Sequence, residues 1–444
     1  MNIRISDHFT YKKLLRFVFP SIIMMVFTSI YGVVDGLFVS NWVGKTAFAA
    51  INLIMPFIMI LGGVGFMIGT GGSALVAKTL GEKRDELADR LFTMMIYFTT
   101  ICGVILSLVS FIFIRQIAVL LHASEDMLAD CVIYGRIVIA FNTAFMLQNV
   151  FQSFLITAER PKLGLLITVA AGLTNMVLDA LFIAVFNWGV AGAAIATGIS
   201  QCVGGIIPLI YFMRKSNKSR LRFAKTRLEA KPLIKAAANG SSELMSSISS
   251  SLVSILYNFQ LMKIAGENGV AAYGVLMYVQ FIFVAIFIGF SIGAAPIVGY
   301  HYGAGNHSEL KGMLKKSVIL MGSSGIILMV LALALAAPLS HIFVGYDKEL
   351  FEMTTHAFKI FSLAFVLAGY NIFVSSFFTA LNNGAVSAAV SFLRTLIFQS
   401  ASVLILPVFF GIDGIWWAIA AAEFFAFIIS TIFIFAKKNK YHYI

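Results

Sequence analysis

The chain has 444 residues, of which 60% are hydrophobic and only 12% are charged, and its formal net charge is +12. Soluble globular proteins carry about 25% charged residues, and a soluble fold of this length has too little interior to hide so much apolar surface. The composition therefore excludes a soluble protein. The basic residues lie between apolar blocks, so a membrane surface explains the positive charge better than nucleic acid does.

Apolar blocks long enough to cross a bilayer, which takes about 20 residues, recur along the whole chain. They predict an all-α membrane protein with twelve transmembrane helices. The blocks cover residues 14–40, 47–77, 91–114, 132–157, 163–186, 190–213, 236–262, 270–300, 317–341, 355–381, 386–410 and 414–436. The second and eighth blocks exceed the bilayer thickness, so we expect these helices to tilt or to extend beyond the membrane.

The loops between these blocks differ sharply in basic residues. With both termini on one side, the segments on that side hold 25 of the 32 lysines and arginines, and the loops on the other side hold four. Positive residues favour the cytoplasmic side of a membrane. The pattern predicts a multi-pass protein of the cell (inner) membrane with cytoplasmic N- and C-termini.

The two halves of the chain resemble each other at an offset of 222 residues. Gly71 then falls on Gly293, and Gly81 on Gly303. Six helices is an even number, so both halves enter the membrane in the same direction and form a parallel repeat. The repeat predicts an N-terminal lobe over 1–213, a basic cytoplasmic linker over 214–235 and a C-terminal lobe over 236–444. Two lobes around a central cleft are typical of transporters.

Acidic residues inside two apolar blocks of the first lobe mark a candidate cation site. Asp35 lies in the first predicted helix and Asp179 in the fifth, with Asn175 one turn earlier on the same face. Counting along the helices puts both acids, and Thr197 of the sixth helix, in the outer half of the bilayer. Oxygen ligands suit Na⁺, and two carboxylates in a low dielectric can share a proton instead. Buried acids that hydrogen-bond only for packing are the competing interpretation.

The second lobe lacks this set, since Tyr257 falls opposite Asp35 at the repeat offset. Its candidates for substrate binding are Glu243, Tyr257 and Glu423. Glu243 and Arg394 lie at similar depth, so they can form a structural ion pair, although Arg394 can also extend to the inner surface.

Motifs for other functions are missing from the sequence. It has no GxxxxGK[ST] phosphate loop, so we do not expect ATP to drive it. The histidines show no HExxH spacing or other ligand cluster. We therefore expect neither an enzyme nor a cofactor, and no metal beyond a possible Na⁺.

Several segments together resemble the multidrug and toxic compound extrusion (MATE) family, and the C-terminal ones resemble its bacterial antimicrobial-extrusion subgroup. They are Asp35 before GLFVSNWVG, VAKTLGEK, ITAERPK, Asn175-x-x-x-Asp179, GVAGAAIAT, IVGYHYGAG and GIDGIWWAIAAAE. The resemblance implies a V-shaped pair of six-helix lobes that exchanges cationic drugs for Na⁺ or H⁺. It also implies a cation site formed by Asp35, Asn175, Asp179 and Thr197. Some subgroups place essential acids in the C-terminal lobe, where only Glu243 and Glu423 are available here.

The sequence thus predicts a secondary active antiporter that exports small organic cations in exchange for H⁺ or Na⁺. It is expected to act as a monomer in the lipid bilayer, with no nucleic acid partner. The alternative is a flippase for lipid-linked oligosaccharides, which needs several cationic residues in the cleft to bind pyrophosphate. Only Arg136, Lys359 and Arg394 fall within the predicted spans, so this alternative is less favoured.

Overall fold

The computed structural model describes residues 3–214 and 219–444, and within these ranges it is built from helices without any β-strand. Residues 215–218 of the predicted linker lie outside the described residues. Ten of the described helices are long and apolar enough to cross a membrane, and a further span is formed by two helices bent by 54°. One of the ten runs for 74 residues, from Ala230 to Gly303, and contains two spans that meet at Gly266. The twelve predicted helices are therefore confirmed.

We number these spans α1 to α12 in chain order. The first six are α1 Tyr11–Phe38, α2 Lys45–Gly81, α3 Asp85–Leu120, α4 Glu125–Ala140 with Asn142–Thr157, α5 Pro161–Asp179 and α6 Gly189–Met213. The last six are α7 (230–265), α8 (267–303), α9 His307–Val344, α10 Lys348–Ala380, α11 Gly384–Phe410 and α12 Ile412–Tyr441.

The chain reverses between α7 and α8 at Gly266, whose φ of 59° and ψ of −149° are accessible to glycine and strained for other residues. The helix α2 has 37 residues, which is about 55 Å at 1.5 Å per residue and exceeds a hydrocarbon core of about 30 Å. The length of α2 agrees with the expectation that this helix tilts or extends beyond the membrane. The bend in α4 at Phe141 was not expected from the sequence.

The helix ends alternate between two ends of the bundle. We call the end that carries the first residues of α1 and the last residues of α12 the basic face, and the other end the opposite face. Side chains cap several helices: Thr10 accepts a hydrogen bond from the Lys13 N–H, and Asn306 accepts one from the Glu309 N–H.

The two halves of the chain meet most closely through glycines near the basic face. A Cβ on Gly71 would collide with the Ala236 carbonyl and with Gly240 of α7. A Cβ on Gly81 would collide with the carbonyl of Tyr300, and one on Gly303 with the carbonyl of Lys78. Gly81 and Gly303 correspond at the 222-residue offset, so equivalent positions of the two halves face each other where α2 crosses α8.

An N-terminal strap, which we define as residues 3–10, joins both halves at the basic face. The Ile5 N–H donates to Glu159 Oε1 at 3.0 Å, in the turn before α5. The Phe9 N–H donates to Glu309 Oε1 at 2.8 Å, and His8 Nδ1 lies 2.6 Å from Glu309 Oε2, in the first turn of α9. Burial raises the pKa of Glu159, and the Ile5 N–H and Arg220 only partly oppose this rise.

The outer surface of the bundle is apolar. Along α3, for example, Ile105, Leu108 and Ile112 are each more than half exposed and follow one another at helical spacing. An apolar stripe of this kind is covered by lipid in a membrane protein, as expected for a span.

Candidate functional site

The helices α1 and α5 each carry one of the predicted acids close to a change in helix geometry. Asp35 lies three residues before the end of α1, which continues as a π-helical turn over Val39–Val43. Asp179 is the last residue of α5 and is followed by a π-helical turn over Ala180–Val185. Such turns are rare and occur often at functional sites.

The structure brings the side chains of Asp35, Asp179 and Asn175 together inside the first half. The Asp35 carboxyl group interacts with both of the others. None of these contacts has normal hydrogen-bond geometry, since Asp35 Oδ1, both Asp179 carboxyl oxygens and Asn175 Nδ2 are buried and have no hydrogen-bond partner among the residues that the structure describes. Asp179 is 0% exposed.

Neither acid forms an ion pair with a lysine, arginine or histidine in the part of the chain that the structure describes. Burying an unpaired polar group costs about 1–3 kcal/mol, and a charge costs more. The pair of carboxyl groups is therefore ready to accept a proton or a small cation.

Thr197 of α6 reaches this cluster through a tyrosine that the sequence analysis missed. The Tyr134 hydroxyl of α4 lies beside Thr197 and close to both Asp35 and Asp179, and Tyr134 is only 1% exposed. Tyr31, one turn before Asp35 on α1, lies near Asp35 and against the Gln148 side chain. The four-residue spacing of Tyr31 and Asp35 was a usable signal, whereas no spacing in the sequence links Tyr134 to the acids.

The atoms of this cluster that can coordinate a cation are the carboxyl, hydroxyl and amide oxygens, because the Asn175 amide nitrogen only donates hydrogen bonds. Oxygen ligands suit hard cations such as Na⁺, and neighbouring carboxyl groups can hold a proton between them. The cluster can thus bind either of the expected coupling ions.

Glu243 lies apart from this cluster, in the N-terminal part of α7. Its side chain is partly exposed, and no hydrogen bond or ion pair of its carboxyl group occurs among the described residues. The next residue, Leu244, approaches Gly63 of α2. Glu243 is therefore an unpaired acid beside the contact between the two halves.

The expected ion pair between Glu243 and Arg394 is wrong, because Arg394 pairs with Glu423 of α12 instead. Arg394 Nη2 lies 2.6 Å from Glu423 Oε1, and Arg394 Nε lies 2.9 and 3.0 Å from the two carboxyl oxygens. Asn371 Nδ2 also donates to Glu423 Oε2, at 2.7 Å. Similar depth along two helices did not reveal which helices are neighbours.

Tyr257 belongs to the surroundings of Glu423 and lies in the second half. Its ring stacks on that of Tyr273 with a centroid distance of 4.8 Å and an interplanar angle of 6°. The Tyr257 hydroxyl lies near Glu423 but has no hydrogen-bond partner in the described part of the chain. Tyr257 and Glu423 are thus brought together, and Asp35 and Asp179 form a separate site.

Comparisons with known proteins agree with this architecture. The family model MatE matches residues 20–181 and 244–402, one segment in each half. The multidrug export protein MepA of Staphylococcus aureus strain MSSA476 is 22% identical over 430 residues, which cover 97% of this chain and 94% of MepA. MepA of Staphylococcus saprophyticus is 23% identical over 436 residues, with the same coverage of both chains.

Solved structures share the fold. The outward-facing conformation of a multidrug resistance MATE family transporter of the MOP superfamily superposes with a TM-score of 0.91 at 21% identity, over 97% of this chain and 98% of that one. A MATE structure in the bent conformation superposes with a TM-score of 0.87 at 21% identity, over 98% of each chain. Because the family model covers most of the chain and falls in both halves, the chain belongs to the multidrug and toxic compound extrusion (MATE) family.

Proposed function

We propose that this protein is a secondary active antiporter that exports small organic cations in exchange for H⁺ or Na⁺. The coupling ion binds at Asp35 and Asp179, with Asn175 and Thr197 as further ligands. The organic cation binds between the two halves, where Glu243 attracts its positive charge, and Tyr257 and Glu423 are further candidates for contact.

The observation that carries this proposal is the pair of unneutralised carboxyl groups of Asp35 and Asp179 inside an apolar helix bundle. An acid in the middle of a membrane costs at least about 2.5 kcal/mol on insertion scales. A cost of this kind at two neighbouring positions is hard to explain by packing alone, because Asp35 Oδ1 and both Asp179 carboxyl oxygens are buried without a hydrogen-bond partner among the described residues. A transient cation offsets it.

Coupling requires the ion to bind two conformations with different affinity. In the first conformation the acids hold no cation and the substrate site faces the cytoplasm. Binding of H⁺ or Na⁺ from the outside then favours the conformation that releases the organic cation outward. The close contacts at Gly71 and Gly81 lie near the basic face, and they must separate for the substrate site to open there.

Cationic cargo is favoured by the unpaired Glu243, and the staphylococcal relatives named multidrug export proteins support it. The pyrophosphate of a lipid-linked sugar would need unpaired cations instead. Arg394 is neutralised by Glu423, Arg136 is exposed and lies over the Phe111 ring, and Lys359 is exposed. The flippase alternative therefore has little support among the described residues.

The remaining properties of the proposal follow from the sequence. The basic loops support cytoplasmic N- and C-termini and a location in the cell (inner) membrane. The protein acts as a monomer, needs no cofactor besides the coupling ion and catalyses no chemical reaction.

The proposed function can be tested by efflux of ethidium from preloaded cells that express the protein. The Na⁺ gradient and the pH gradient are collapsed separately. We expect efflux to stop when the gradient of the coupling ion is collapsed and to continue when the other gradient is collapsed. Efflux that persists without either gradient and follows cellular ATP would overturn antiport.

The matched variants are Asp179→Asn and Asp413→Asn. Asp413 is a half-exposed acid of α12 that contacts His356 and lies outside the cation site. We expect Asp179→Asn to reduce efflux to the level of cells without the protein, at unchanged membrane expression, and Asp413→Asn to retain it. Equal efflux by both variants would reject Asp179 as a coupling residue.

A further inference from the structure

Two arginines lie on the outer surface of the first half, towards the opposite face. Arg115 of α3 directly follows the third apolar block, and Arg136 of α4 lies four residues, or about 6 Å, inside the fourth block. Both side chains are exposed. The headgroup region of a bilayer adds about 5–7 Å on each side of the hydrocarbon core. The long side chain of an arginine at either position therefore reaches the headgroups.

The packing of α3 against α4 brings these arginines to one stretch of surface. The Arg136 guanidinium lies over the Phe111 ring of α3, 5.5 Å from its centre. Phe111 is 44% exposed, and Arg115 follows it by one turn on the same side of α3. Side chains tilt towards the N-terminus of their helix. Because α3 ends at the opposite face and α4 begins there, Arg115 tilts towards the level of Phe111 and Arg136 tilts towards the headgroups.

No acid neutralises this pair in the part of the chain that the structure describes, since neither arginine takes part in an ion pair. The acids of α3 lie within its first five residues, at the basic face. Asp130 of α4 is six residues before Arg136 and so about 120° around the helix, and the other two acids of α4 are at least ten residues, or about 15 Å, before it. Lys45, at the start of α2, has the same sign of charge.

An apolar stripe continues from Arg115 into the membrane. Ile112, Leu108 and Ile105 are 65%, 61% and 55% exposed, and with Arg115 they are spaced by three, four and three residues along α3. This spacing places all four on one side of the helix. The ten residues from Ile105 to Arg115 span about 15 Å, which is half of a hydrocarbon core of about 30 Å. The stripe thus has the length of one acyl chain layer, with positive charge at its headgroup end.

The second half lacks an equivalent pair. At the repeat offset of 222 or 223 residues, Arg115 falls on Ala337 or Pro338, and Arg136 falls on Phe358 or Lys359. The second half therefore has at most one cation where the first half has two. Arginines are also uncommon at this face, because the loops on that side hold only four of the 32 basic residues. The pair is a particular feature of α3 and α4 and does not reflect a general enrichment in basic residues.

We propose that Arg115 and Arg136 bind the phosphate of an anionic phospholipid in the leaflet at the opposite face, with an acyl chain of this lipid along the stripe of α3. The planar guanidinium group pairs with phosphate oxygens through two N–H donors. A headgroup that also carries an ammonium group is repelled by the second arginine, so the site prefers phosphatidylglycerol to phosphatidylcholine. The site goes beyond the proposed function and does not depend on ion coupling.

Fluorescence quenching by brominated lipids tests this site without any transport. Val109→Cys, beside the stripe and 49% exposed, is made in a protein whose Cys102, Cys131 and Cys202 are replaced by alanine, and it is labelled with bimane. The protein is reconstituted into phosphatidylcholine vesicles that contain either brominated phosphatidylglycerol or brominated phosphatidylcholine. The ratio of quenching gives the relative binding constant of the two lipids beside α3. We expect a preference for phosphatidylglycerol that Arg115→Gln and Arg136→Gln each reduce about five-fold.

Two controls come from the chain itself. Lys263→Gln removes an exposed cation at the opposite face of the second half, and it should leave the preference at Val109 unchanged. A bimane on Leu331→Cys reports the position that is equivalent to Val109 at the offset of 222 and is 41% exposed. We expect the preference at Leu331 to be about five-fold lower than that at Val109, because one of the two cations is missing there.

The lipid site is overturned if both brominated lipids quench the label at Val109 equally, if neither arginine variant changes the preference, or if Leu331 shows the same preference as Val109. Inorganic phosphate in excess should not reduce the preference more than NaCl of the same ionic strength does, because phosphate has no acyl chain to place on the stripe. A specific loss caused by phosphate would show that the arginines hold a soluble anion, and it would also overturn the proposal.

Discussion

Removing the charge of Glu423 should destabilise the protein by breaking the buried pair with Arg394. The Glu423 side chain is 2% exposed and that of Arg394 15% exposed, and two nitrogens of Arg394 contact the carboxyl group. Loss of one partner from a buried pair costs about 3–5 kcal/mol, since the other charge is left without compensation. We therefore expect Glu423→Gln to be among the more destabilising single changes in the second half.

This cost converts into a measurable shift of the melting temperature. An unfolding entropy of about 2.1 cal/mol/K per residue gives roughly 0.9 kcal/mol/K for 444 residues. A loss of 3–5 kcal/mol then lowers the melting temperature by about 3–5 °C. The assay heats the purified protein in detergent and measures the folded fraction that remains at each temperature by size-exclusion chromatography.

The controls separate the buried pair from a general effect of removing charge. Asp413 lies on α12, like Glu423, and Asp413→Asn removes the charge that contacts His356 of α10. Both side chains of that contact are about half exposed, and exposed pairs contribute about 0–1 kcal/mol. It should shift the melting temperature by less than about 1 °C. The double variant Glu423→Gln/Arg394→Met should be more stable than the sum of its single changes predicts. A purely additive double variant, or a Glu423→Gln variant as stable as wild type, would refute the reasoning.

Two further predictions concern the contact between the halves. Gly240→Val should strongly reduce the yield of folded protein, because a Cβ there meets the Met67 carbonyl, whereas Gly274→Val, where nothing lies within 4 Å, should retain it; equal yields measured by fluorescence-detected size exclusion would contradict the packing. Glu309→Ala removes the acceptor of two contacts with the N-terminal strap, which joins the two halves at the basic face. Without these contacts the halves should separate more often, so cysteines introduced beside Gly81 should react several-fold faster with a thiol reagent added at the basic face. Unchanged reactivity would show that the strap does not hold the halves together.

The helix plan could be predicted from the sequence because hydropathy and loop charge are local properties. Each apolar block corresponds to a helix in the structure, and the internal offset of 222 residues reappears where Gly81 and Gly303 meet. The depth of Asp35 and Asp179 also followed from counting residues along two helices that start at the same face. Their proximity in the structure agrees with that estimate, while their role in ion binding stays a prediction.

Other features depend on contacts that leave no local signal. The predicted ion-pair partner of Arg394 was wrong because the depth of a residue along its helix does not tell which of the twelve helices is adjacent. The π-helical turns after Asp35 and Asp179 follow no residue pattern that the sequence displays. The contacts of the N-terminal strap also leave no local signal, because Glu159 and Glu309 lie 154 and 300 positions from the strap residues that they bind.

The central claim is that the acids of α1 and α5 hold the ion that is exchanged for the organic cation. It is tested most directly by adding tetraphenylphosphonium to the purified protein and measuring released protons in weak buffer and displaced radioactive Na⁺ in parallel. The account predicts that wild-type protein releases one of the two ions and that the Asp35→Asn/Asp179→Asn double variant, which still folds, releases neither. Release of the same amount by the double variant, or of neither ion by a wild-type protein that binds the organic cation, would contradict it.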